Sequence, residues 1–177
     1  LLCACRTNGT LQWSLPLGAQ TLSSPTIAAD GTLYLGTGWP SNRFLAISTD
    51  RIIRWTFETG ASVSTTAGIA QDGTVYVTAD NGRVYALNPD GVKNWEFDTG
   101  GQGQVSSPAI GTDGVIYLGS GHGDEVLGYT VGVFHALRSD GTEKWRFSAR
   151  GPFVADPAIG PNGAIYFGSL DNDGALY

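Results

Sequence analysis

The sequence predicts an all-β fold, a β-propeller of four-stranded antiparallel blades with about four blades in this chain. The first observation is a series of short runs rich in β-branched and aromatic residues, clearest between Gln71 and Gly100 (QDGTVYVTADNGRVYALNPDGVKNWEFDTG). Asp-Gly and Asn-Gly pairs bound these runs, and such pairs form tight turns between strands because Gly accepts positive φ. The second observation is a repeat of this unit along the chain, and the third is that no stretch has apolar residues at helical spacing.

Two independent markers give the period of the repeat. Four tryptophans are spaced by 42, 40 and 50 residues: Trp13, Trp55, Trp95 and Trp145. Four turn pairs are spaced by 42, 41 and 49 residues: Asp30-Gly31, Asp72-Gly73, Asp113-Gly114 and Asn162-Gly163. The two series drift together, and the extra residues of the third interval lie between Gly119 and Val133. Four strands in a unit of about 40–50 residues are typical of a propeller blade.

The strands of each unit are labelled A to D from the inside outwards. The chain begins with a C strand and a D strand at Leu1–Cys5 and Leu11–Leu15. Unit one is predicted at Ser23–Ala28, Thr32–Gly36, Arg43–Ile47 and Ile52–Phe57. Unit two is predicted at Ser64–Ile69, Thr74–Thr78, Arg83–Leu87 and Val92–Phe97. Unit three is predicted at Val105–Ile110, Val115–Gly119, Val133–Leu137 and Glu143–Phe147. Unit four is predicted at Val154–Ile159, Ala164–Gly168 and Ala175–Tyr177. The prediction is a single domain, 1–177, or a propeller fragment, with blade parts 1–15, 22–57, 63–97, 104–147 and 153–177.

The A strands have the smallest side chains (SSPTI, TTAGI, SSPAI, ADPAI), as the crowded axis of a propeller requires. Pro25, Pro108 and Pro157 fit an innermost edge strand, where the missing N–H faces the channel. The B strands alternate little, which indicates that neighbouring blades cover both of their faces.

Composition and charge exclude some classes of binding partner. The formal charge is −6 and the few basic residues do not cluster, so no nucleic-acid partner is predicted. No apolar run approaches the roughly 20 residues of a membrane span. The chain contains no methionine, so we expect it to be processed, trimmed or a fragment, and a targeting signal can be missing from it.

Cys3 and Cys5 lie two apart in LLCAC and would face the same side of a strand. A disulfide between such neighbours would be strained, so they are predicted to be free thiols buried in a strand. The alternative is that Leu2–Cys5 loosely resembles a bacterial lipobox, whose Cys carries a lipid anchor.

The repeat resembles a known family. The runs SSPAIGTDGVIYLGS (Ser106–Ser120) and VFHALRSDGTEKWRF (Val133–Phe147) resemble the quinoprotein-type propeller repeat, also called the PQQ-like or tryptophan-docking repeat. The resemblance covers essentially the whole chain and implies that Trp13, Trp55, Trp95 and Trp145 pack between neighbouring blades. It also implies a ring of seven or eight blades and an extracytoplasmic location, in the periplasm, at the cell surface or secreted.

The resemblance leaves two kinds of function open. Some members are alcohol or sugar dehydrogenases that bind pyrroloquinoline quinone (PQQ), and others, BamB-like members included, bind partners without a cofactor. The enzymes hold PQQ with basic residues, Ca²⁺ and, in many cases, an adjacent Cys-Cys disulfide. Here Cys3 and Cys5 are not adjacent, and no inner strand starts with Trp or Arg. We therefore predict no cofactor, with PQQ and Ca²⁺ as the alternative, and no catalytic residues, since no G-x-S-x-G, H-E-x-x-H or P-loop motif occurs.

Two sites are assigned structural roles. His135 replaces the tyrosine found at Tyr85 in the preceding unit, so it is predicted to be a core or interblade residue with a hydrogen-bonded ring. Asp171–Gly174 superficially resembles a Ca²⁺ loop, but it aligns with Ala79–Gly82 and is predicted to be an ordinary B–C turn.

The candidate binding site is predicted where the links between strands are longer than in the regular unit. The B–C link is swollen at Thr37–Asn42 and at Ser120–Gly132, and alternating strand direction places the B–C and D–A links on one face of the molecule, the loop-rich face. The binding residues predicted there are Trp39, His122, Asp124, Glu125, Tyr129, Arg150 and Phe153. The alternative is that the swollen links are tolerated insertions, with Trp39 and Tyr129 folded onto the blade edge. His122 with Asp124 and Glu125 is too sparse a set to predict a metal site.

The expected function is a non-catalytic scaffold for protein or ligand binding or assembly. The alternatives are a portion of a PQQ-dependent alcohol or sugar dehydrogenase and a self-assembling structural surface subunit. The partner is expected to be a protein, or a second copy bound through open blade edges. The N-terminal strand pair could complete unit four of the same chain, complete unit four of a second copy to give eight blades, or belong to a ring with further blades.

Overall fold

The computed structural model describes residues 1–101, 105–124 and 129–170. Within these ranges all regular secondary-structure elements are β-strands. The described residues contain no helix that could cross a membrane. The predicted all-β fold of four-stranded antiparallel sheets is confirmed. The predictions for Glu125, Asp171–Gly174 and Ala175–Tyr177 lie outside the described residues, and Asp124 and Tyr129 are described by their backbone alone.

The sheets follow one another along the chain as meanders. A two-stranded sheet comes first, with β1 (Leu2–Cys5) and β2 (Leu11–Leu15). Blade 1 consists of β3 (Thr26–Ile27), β4 (Leu33–Gly36), β5 (Arg43–Ile47) and β6 (Ile53–Glu58). Blade 2 consists of β7 (Gly68–Ile69), β8 (Val75–Thr78), β9 (Arg83–Leu87) and β10 (Lys93–Asp98). Blade 3 consists of β11 (Ala109–Ile110), β12 (Ile116–Asp124), β13 (Tyr129–Leu137) and β14 (Glu143–Arg150). The described part of blade 4 is β15 (Ala158–Ile159) with β16 (Ile165–Tyr166).

The inner strands are shorter than predicted. The strand expected at Ser23–Ala28 is paired only at Thr26–Ile27, directly after Pro25. Proline has no N–H to donate to the ladder, so regular pairing starts after it. Side chains hold the residues before it instead, since the Gly36 amide donates to Ser23 Oγ at 2.8 Å.

The predicted loop at Ser120–Gly132 is largely a hairpin, which corrects the sequence interpretation. β12 continues to Asp124, β13 starts at Tyr129, and their ladder runs without a break from Ile116↔Leu137 to Asp124↔Tyr129. β14 lengthens with them, because Val131 pairs with Arg150. The extra residues therefore extend blade 3 along its strands.

The hydrophobic core lies between blades. One cluster joins Tyr34 and Phe44 of blade 1 to Val75, Tyr85 and Leu87 of blade 2. Two further clusters join blade 2 to blade 3 and blade 3 to blade 4. Blades 2 and 3 therefore bury both of their faces against neighbours, which explains their apolar B and C strands.

The predicted burial of the two cysteines is wrong. Cys3 and Cys5 are free thiols, as expected, but both are exposed. Leu2 and Ala4 on the opposite face of β1 are partly buried. The thiols therefore lie on the outward face of this two-stranded sheet.

Candidate functional site

Trp55 and Trp95 each contact the following blade. The Trp55 indole Nε1 donates to the Pro89 carbonyl oxygen at 2.8 Å, and Trp95 Nε1 donates to the Ser139 carbonyl oxygen at 2.8 Å. A Cβ added at Gly91 would lie 2.5 Å from the Trp55 ring, and one at Gly141 would lie 2.7 Å from the Trp95 ring. Glycine with positive φ is therefore required under each docked ring.

For Trp145 and Trp13 the interblade role stays a prediction. Trp145 packs within its own blade, with ring centroids 5.9 Å from Tyr117 and 6.2 Å from Phe134. Trp13 is partly buried on β2. The turn position that corresponds to Gly91 in blade 1 is occupied by Arg51.

A β-bulge precedes every one of these tryptophans and was not foreseen from the sequence. The C–D registers skip one residue in each sheet: Gln12, Arg54, Asn94 and Lys144. A bulge bends the strand and re-aims the neighbouring side chains. The bulged cations in blades 1 and 3 reach the A–B turn of the same blade, at Asp30 and Asp113.

His135 lies in the core between blades 2 and 3, as predicted. It is 2% exposed, and its ring meets Phe97 of the preceding blade edge-on at 5.5 Å. Its Nε2 lies 3.1 Å from Ser120 Oγ and its Nδ1 lies 2.8 Å from Glu143 Oε1. Burial lowers the pKa of His135 below its ordinary value, and the hydrogen bond that its ring donates to Glu143 opposes this. The set resembles a serine–histidine–acid relay, but Ser120 is fully buried and cannot reach a substrate.

The swollen link of blade 1 presents Trp39 to solvent. Its backbone is held at both sides, because Gly38 N donates to the Gln20 carbonyl at 2.8 Å and the buried Thr37 Oγ1 accepts from Arg43 N at 2.9 Å. The Trp39–Pro40 peptide bond is cis. The Trp39 side chain is 71% exposed, so it is not folded onto the blade edge.

The other predicted binding residues belong to the extended hairpin of blade 3. His122 pairs with Val131, and Val131 pairs with Arg150, so His122 on β12 and Arg150 on β14 lie in one sheet on either side of β13. The Nδ1 atom of His122 is buried without a hydrogen-bond partner in the described structure. Trp39 belongs to blade 1, so the whole of blade 2 separates it from this hairpin in the chain. The described residues contain no group of three or more His, Cys, Asp or Glu side chains that could hold a metal.

Phe153 is a core residue, which corrects its expected place on the loop-rich face. It is 0% exposed and packs against a cluster of phenylalanine rings. The centroids lie 6.2 Å away at Phe134, 6.2 Å at Phe147 and 5.2 Å at Phe167. The cluster joins blade 3 to blade 4, so the sequence pattern of a single blade does not show it.

The inner strands do not offer the groups that PQQ requires. At equivalent positions stand the neutral or acidic side chains Ser24, Thr66, Ser107 and Asp156. They link successive blades, because Thr66 N donates to Ser107 Oγ at 3.0 Å and Ser107 N donates to Asp156 Oδ1 at 2.7 Å. A tricarboxylate needs cationic partners, so these residues do not fit that cofactor.

A second feature lies on the opposite face, where the A–B and C–D turns stand; we call it the hairpin face. Two equivalent clefts open there between consecutive blades. The cleft between blades 1 and 2 has a volume of about 310 Å³ and is lined by residues that include Tyr34, Ile69 and Pro89. The cleft between blades 2 and 3 has a volume of about 660 Å³, with Tyr76, Ile110 and Ser139 in the corresponding places. Sequence reasoning treated this face as bare hairpins and missed both clefts.

The aspartates of the A–B turns differ in their partners. Arg54 Nη1 lies 3.3 Å from Asp30 Oδ2, and Lys144 Nζ lies 3.5 Å from Asp113 Oδ2. In blade 2 the bulged residue is Asn94, and Asp72 has no cationic partner among the residues that the structure describes. Hydrogen bonds from Thr74 hold the pKa of Asp72 below its ordinary value, so its carboxylate is charged at neutral pH. Burial raises the pKa of Tyr34, Tyr76 and Tyr117, so all three keep their hydroxyl protons.

The repeated four-stranded sheets, the interblade cores and the docked tryptophans define a propeller of PQQ-like repeats. A family profile described as outer membrane protein assembly factor BamB matches residues 2–131. The chain therefore belongs to this PQQ-like propeller repeat family. Comparison with curated protein sequences yields no match.

Solved structures show the same fold at low sequence identity. BamB from Moraxella catarrhalis has a TM-score of 0.71 and 19% identity, over 94% of this chain and 52% of that one. Quinohemoprotein alcohol dehydrogenase ADHIIG from Pseudomonas putida HK5 has a TM-score of 0.67 and 18% identity, over 88% of this chain and 29% of that one. A europium-containing methanol dehydrogenase has a TM-score of 0.68 and 14% identity, over 90% and 37%. The chain thus spans about half the length of the BamB structure and less of the two dehydrogenases.

Proposed function

We propose that this chain is a non-catalytic propeller scaffold that binds a protein partner through its loop-rich face, outside the cytoplasm. The observation that carries the proposal is Trp39, which is 71% exposed on a link whose backbone is hydrogen-bonded at Thr37 and Gly38. Tryptophan is enriched among the residues that dominate the free energy of protein–protein binding. Loops on a rigid scaffold are the usual place for such contacts.

The family supports this proposal in a coarser way. The matching profile is described as an outer membrane protein assembly factor, and one similar structure is a BamB. Both descriptions favour a partner-binding role and a place in the cell envelope. Envelope location is tested by fractionating cells that naturally produce the protein, and recovery with the cytoplasmic fraction alone would contradict it.

Site-specific photo-cross-linking tests the binding surface. A photoreactive amino acid is placed at Ser41, beside Trp39, and the matched control places it at Ile52, which is exposed on the hairpin face. We expect a discrete protein adduct from position 41 in cells that produce the protein and none from position 52. Trp39→Ala should abolish the adduct from position 41. Equal adducts at positions 41 and 52, none at 41, or an adduct at 41 that Trp39→Ala leaves unchanged would overturn the proposal.

The rival function is a portion of a PQQ-dependent dehydrogenase, favoured by the fold shared with the two dehydrogenases. The side chains at the inner strands do not fit PQQ, so no catalytic step follows from this chain's residues. The discriminating measurement adds PQQ and Ca²⁺ and follows dye reduction with an alcohol or a sugar. Saturable cofactor binding with substrate-dependent reduction would replace the scaffold proposal.

A further inference from the structure

We propose that the hairpin-face cleft between blades 2 and 3 binds a cationic group on an apolar stem, as a lysine or arginine side chain of a partner peptide presents. This site lies on the face opposite to Trp39 and is independent of the function proposed above. Its volume of about 660 Å³ lies within the roughly 300–1,000 Å³ typical of ligand sites.

The first observation is a tyrosine hydroxyl at the cleft wall. Tyr76 is 2% exposed and lines the cleft, and its hydroxyl makes no hydrogen bond with any residue that the structure describes. The hydroxyl oxygen is not among the buried, unpartnered polar atoms of the described residues, so it reaches the open space of the cleft. A ligand's polar head can therefore meet the Tyr76 hydroxyl there.

The second observation is an unpaired carboxylate beside it. Asp72 lines the same cleft, and the Thr74 amide donates to its Oδ1 at 2.9 Å, which fixes the carboxylate in place. In blade 1 the matching aspartate, Asp30, is paired with the bulged Arg54. In blade 2 the bulged residue is Asn94, so no side chain at that position supplies the cation.

The third observation is the larger volume of this cleft. The smaller cleft has Ala70, Gln71 and Pro89 where the larger one has Gly111, Thr112 and Ser139. At the first two of these three positions the larger cleft has the smaller residue, and at the third a flexible serine replaces a proline ring. Asp72 lines both clefts, so volume rather than charge distinguishes them, and the larger cleft gives a long side chain the room to reach Asp72.

The chemistry of the walls selects the ligand class. Ile69 and Ile110 make part of the lining apolar, which suits the methylene stem of a long cationic side chain. Hard metal ions take six or more oxygen ligands, and this cleft offers one carboxylate beside apolar walls. The net charge of −6 also favours a cationic partner.

Titration of the full chain with Nα-acetyl-lysine amide tests the proposal, with amide chemical shifts as the readout. The charge-free analogue Nα-acetyl-norleucine amide is the control ligand. We expect saturable shifts at Gly111, Gly114 and Ser139 with the lysine probe only. Equal binding of the norleucine probe, no saturable shift, or shifts confined to Ala28 and Ala29 in the smaller cleft would overturn the proposal. This comparison needs no variant to fold.

Three variants locate the cation. Asp72→Asn keeps a turn-forming residue and should weaken binding about tenfold or more, the loss of one charged hydrogen bond. The matched control Asp30→Asn, whose carboxylate is already paired, should leave the affinity unchanged. Asn94→Arg supplies the cation that blade 1 already has and should compete with the probe, again weakening binding about tenfold. Unchanged affinity in both Asp72→Asn and Asn94→Arg would refute the site.

Discussion

At the scale of single residues, the C–D turns show where the repeat departs from its own requirement for glycine. The residue after the turn aspartate or asparagine has positive φ in each of the four turns described, at Gly9, Arg51, Gly91 and Gly141. Arg51 alone of these four carries a side chain, with φ of 68°. An L-residue in the left-handed region costs about 1–2 kcal/mol. This turn therefore holds a strain that its equivalents avoid.

Arg51→Gly should stabilise the protein by about 0.5–1 kcal/mol, because the relief of strain exceeds the added entropy of glycine in the unfolded chain. Urea unfolding monitored by tryptophan fluorescence measures it. The opposite change, Gly91→Ala, should destabilise by about 2 kcal/mol or more, since its Cβ would lie 2.5 Å from the Trp55 ring. An Arg51→Gly variant that is less stable than the parent would show that the arginine side chain makes a compensating contact.

His135 should make stability depend on pH in the mildly acidic range. Its pKa in the fold is lowered from 6.5 by burial, so the neutral ring is favoured in the native state. The unfolded chain then binds more protons between the two pKa values, and stability falls as the pH drops below about 6.5. The titratable and charged groups that act on His135 are Glu143, Arg146 and His122, and the Ser120 hydroxyl and the Phe97 ring also contact its ring.

Unfolding free energies at pH 7.5, 6.5 and 5.5 measure this effect. His135→Gln, which keeps a polar group opposite Ser120, should flatten the slope between pH 6.5 and 5.5. The carboxylates with lowered pKa, such as Asp72 and Glu96, contribute only at more acidic pH. An unchanged slope in His135→Gln would contradict the assignment.

At the scale of elements, strands and turns were predictable because local chemistry specifies them. β5 and β9 were predicted at the bounds observed, since runs of apolar residues that start after Asn42 and Gly82 and end before Ser48 and Asn88 leave little choice. The Ser120–Gly132 segment was interpreted as a swollen loop because it is longer than the corresponding link of the regular unit. The structure shows that some of these glycines serve close approach between backbones. A Cβ added at Gly132 would lie 2.0 Å from the Gly151 carbonyl oxygen.

A pair of glycines on β12 tests this interpretation of the extended hairpin. A Cβ at Gly119 would lie 2.2 Å from the Phe153 carbonyl oxygen, whereas one at Gly123 meets nothing within 4 Å. Gly119→Ala should therefore destabilise the protein by about 2–3 kcal/mol through overpacking. Gly123→Ala on the same strand should be neutral or slightly stabilising. Thermal and urea unfolding distinguish them, and equal effects would mean that blade 3 does not pack as described.

At the scale of the whole molecule, the period of tryptophans and turns predicted the fold, but the clefts of the hairpin face were not predictable. The volume of each cleft depends on how two neighbouring blades pack against each other. The difference between Pro89 and Ser139 affects that volume because each residue lines a cleft on the following blade. The sequence shows that Asn94 stands where blades 1 and 3 have Arg54 and Lys144. It does not show that these cations pair with the turn aspartates, because that pairing depends on the bulge. The unpaired state of Asp72 therefore became apparent only from the structure. Likewise, the burial of Phe153 depends on long-range packing.

Blades that contact only their neighbours should contribute to stability in an approximately additive way. Trp55→Phe removes the hydrogen bond to Pro89 and part of a packed ring, and should cost about 1–2 kcal/mol. Trp95→Phe acts at the next junction and should cost a similar amount. The double variant should equal the sum within about 0.5 kcal/mol, because the two sites share no partner.

Two substitutions at one junction should behave differently. Gly91→Ala disturbs the same contact that Trp55→Phe weakens, so the cost of Gly91→Ala should shrink in the Trp55→Phe background by about 1 kcal/mol. Urea unfolding of the four proteins in each cycle gives both coupling energies. Strong coupling between Trp55→Phe and Trp95→Phe, with none between Trp55→Phe and Gly91→Ala, would mean that stability is spread over the whole array rather than held at separate junctions.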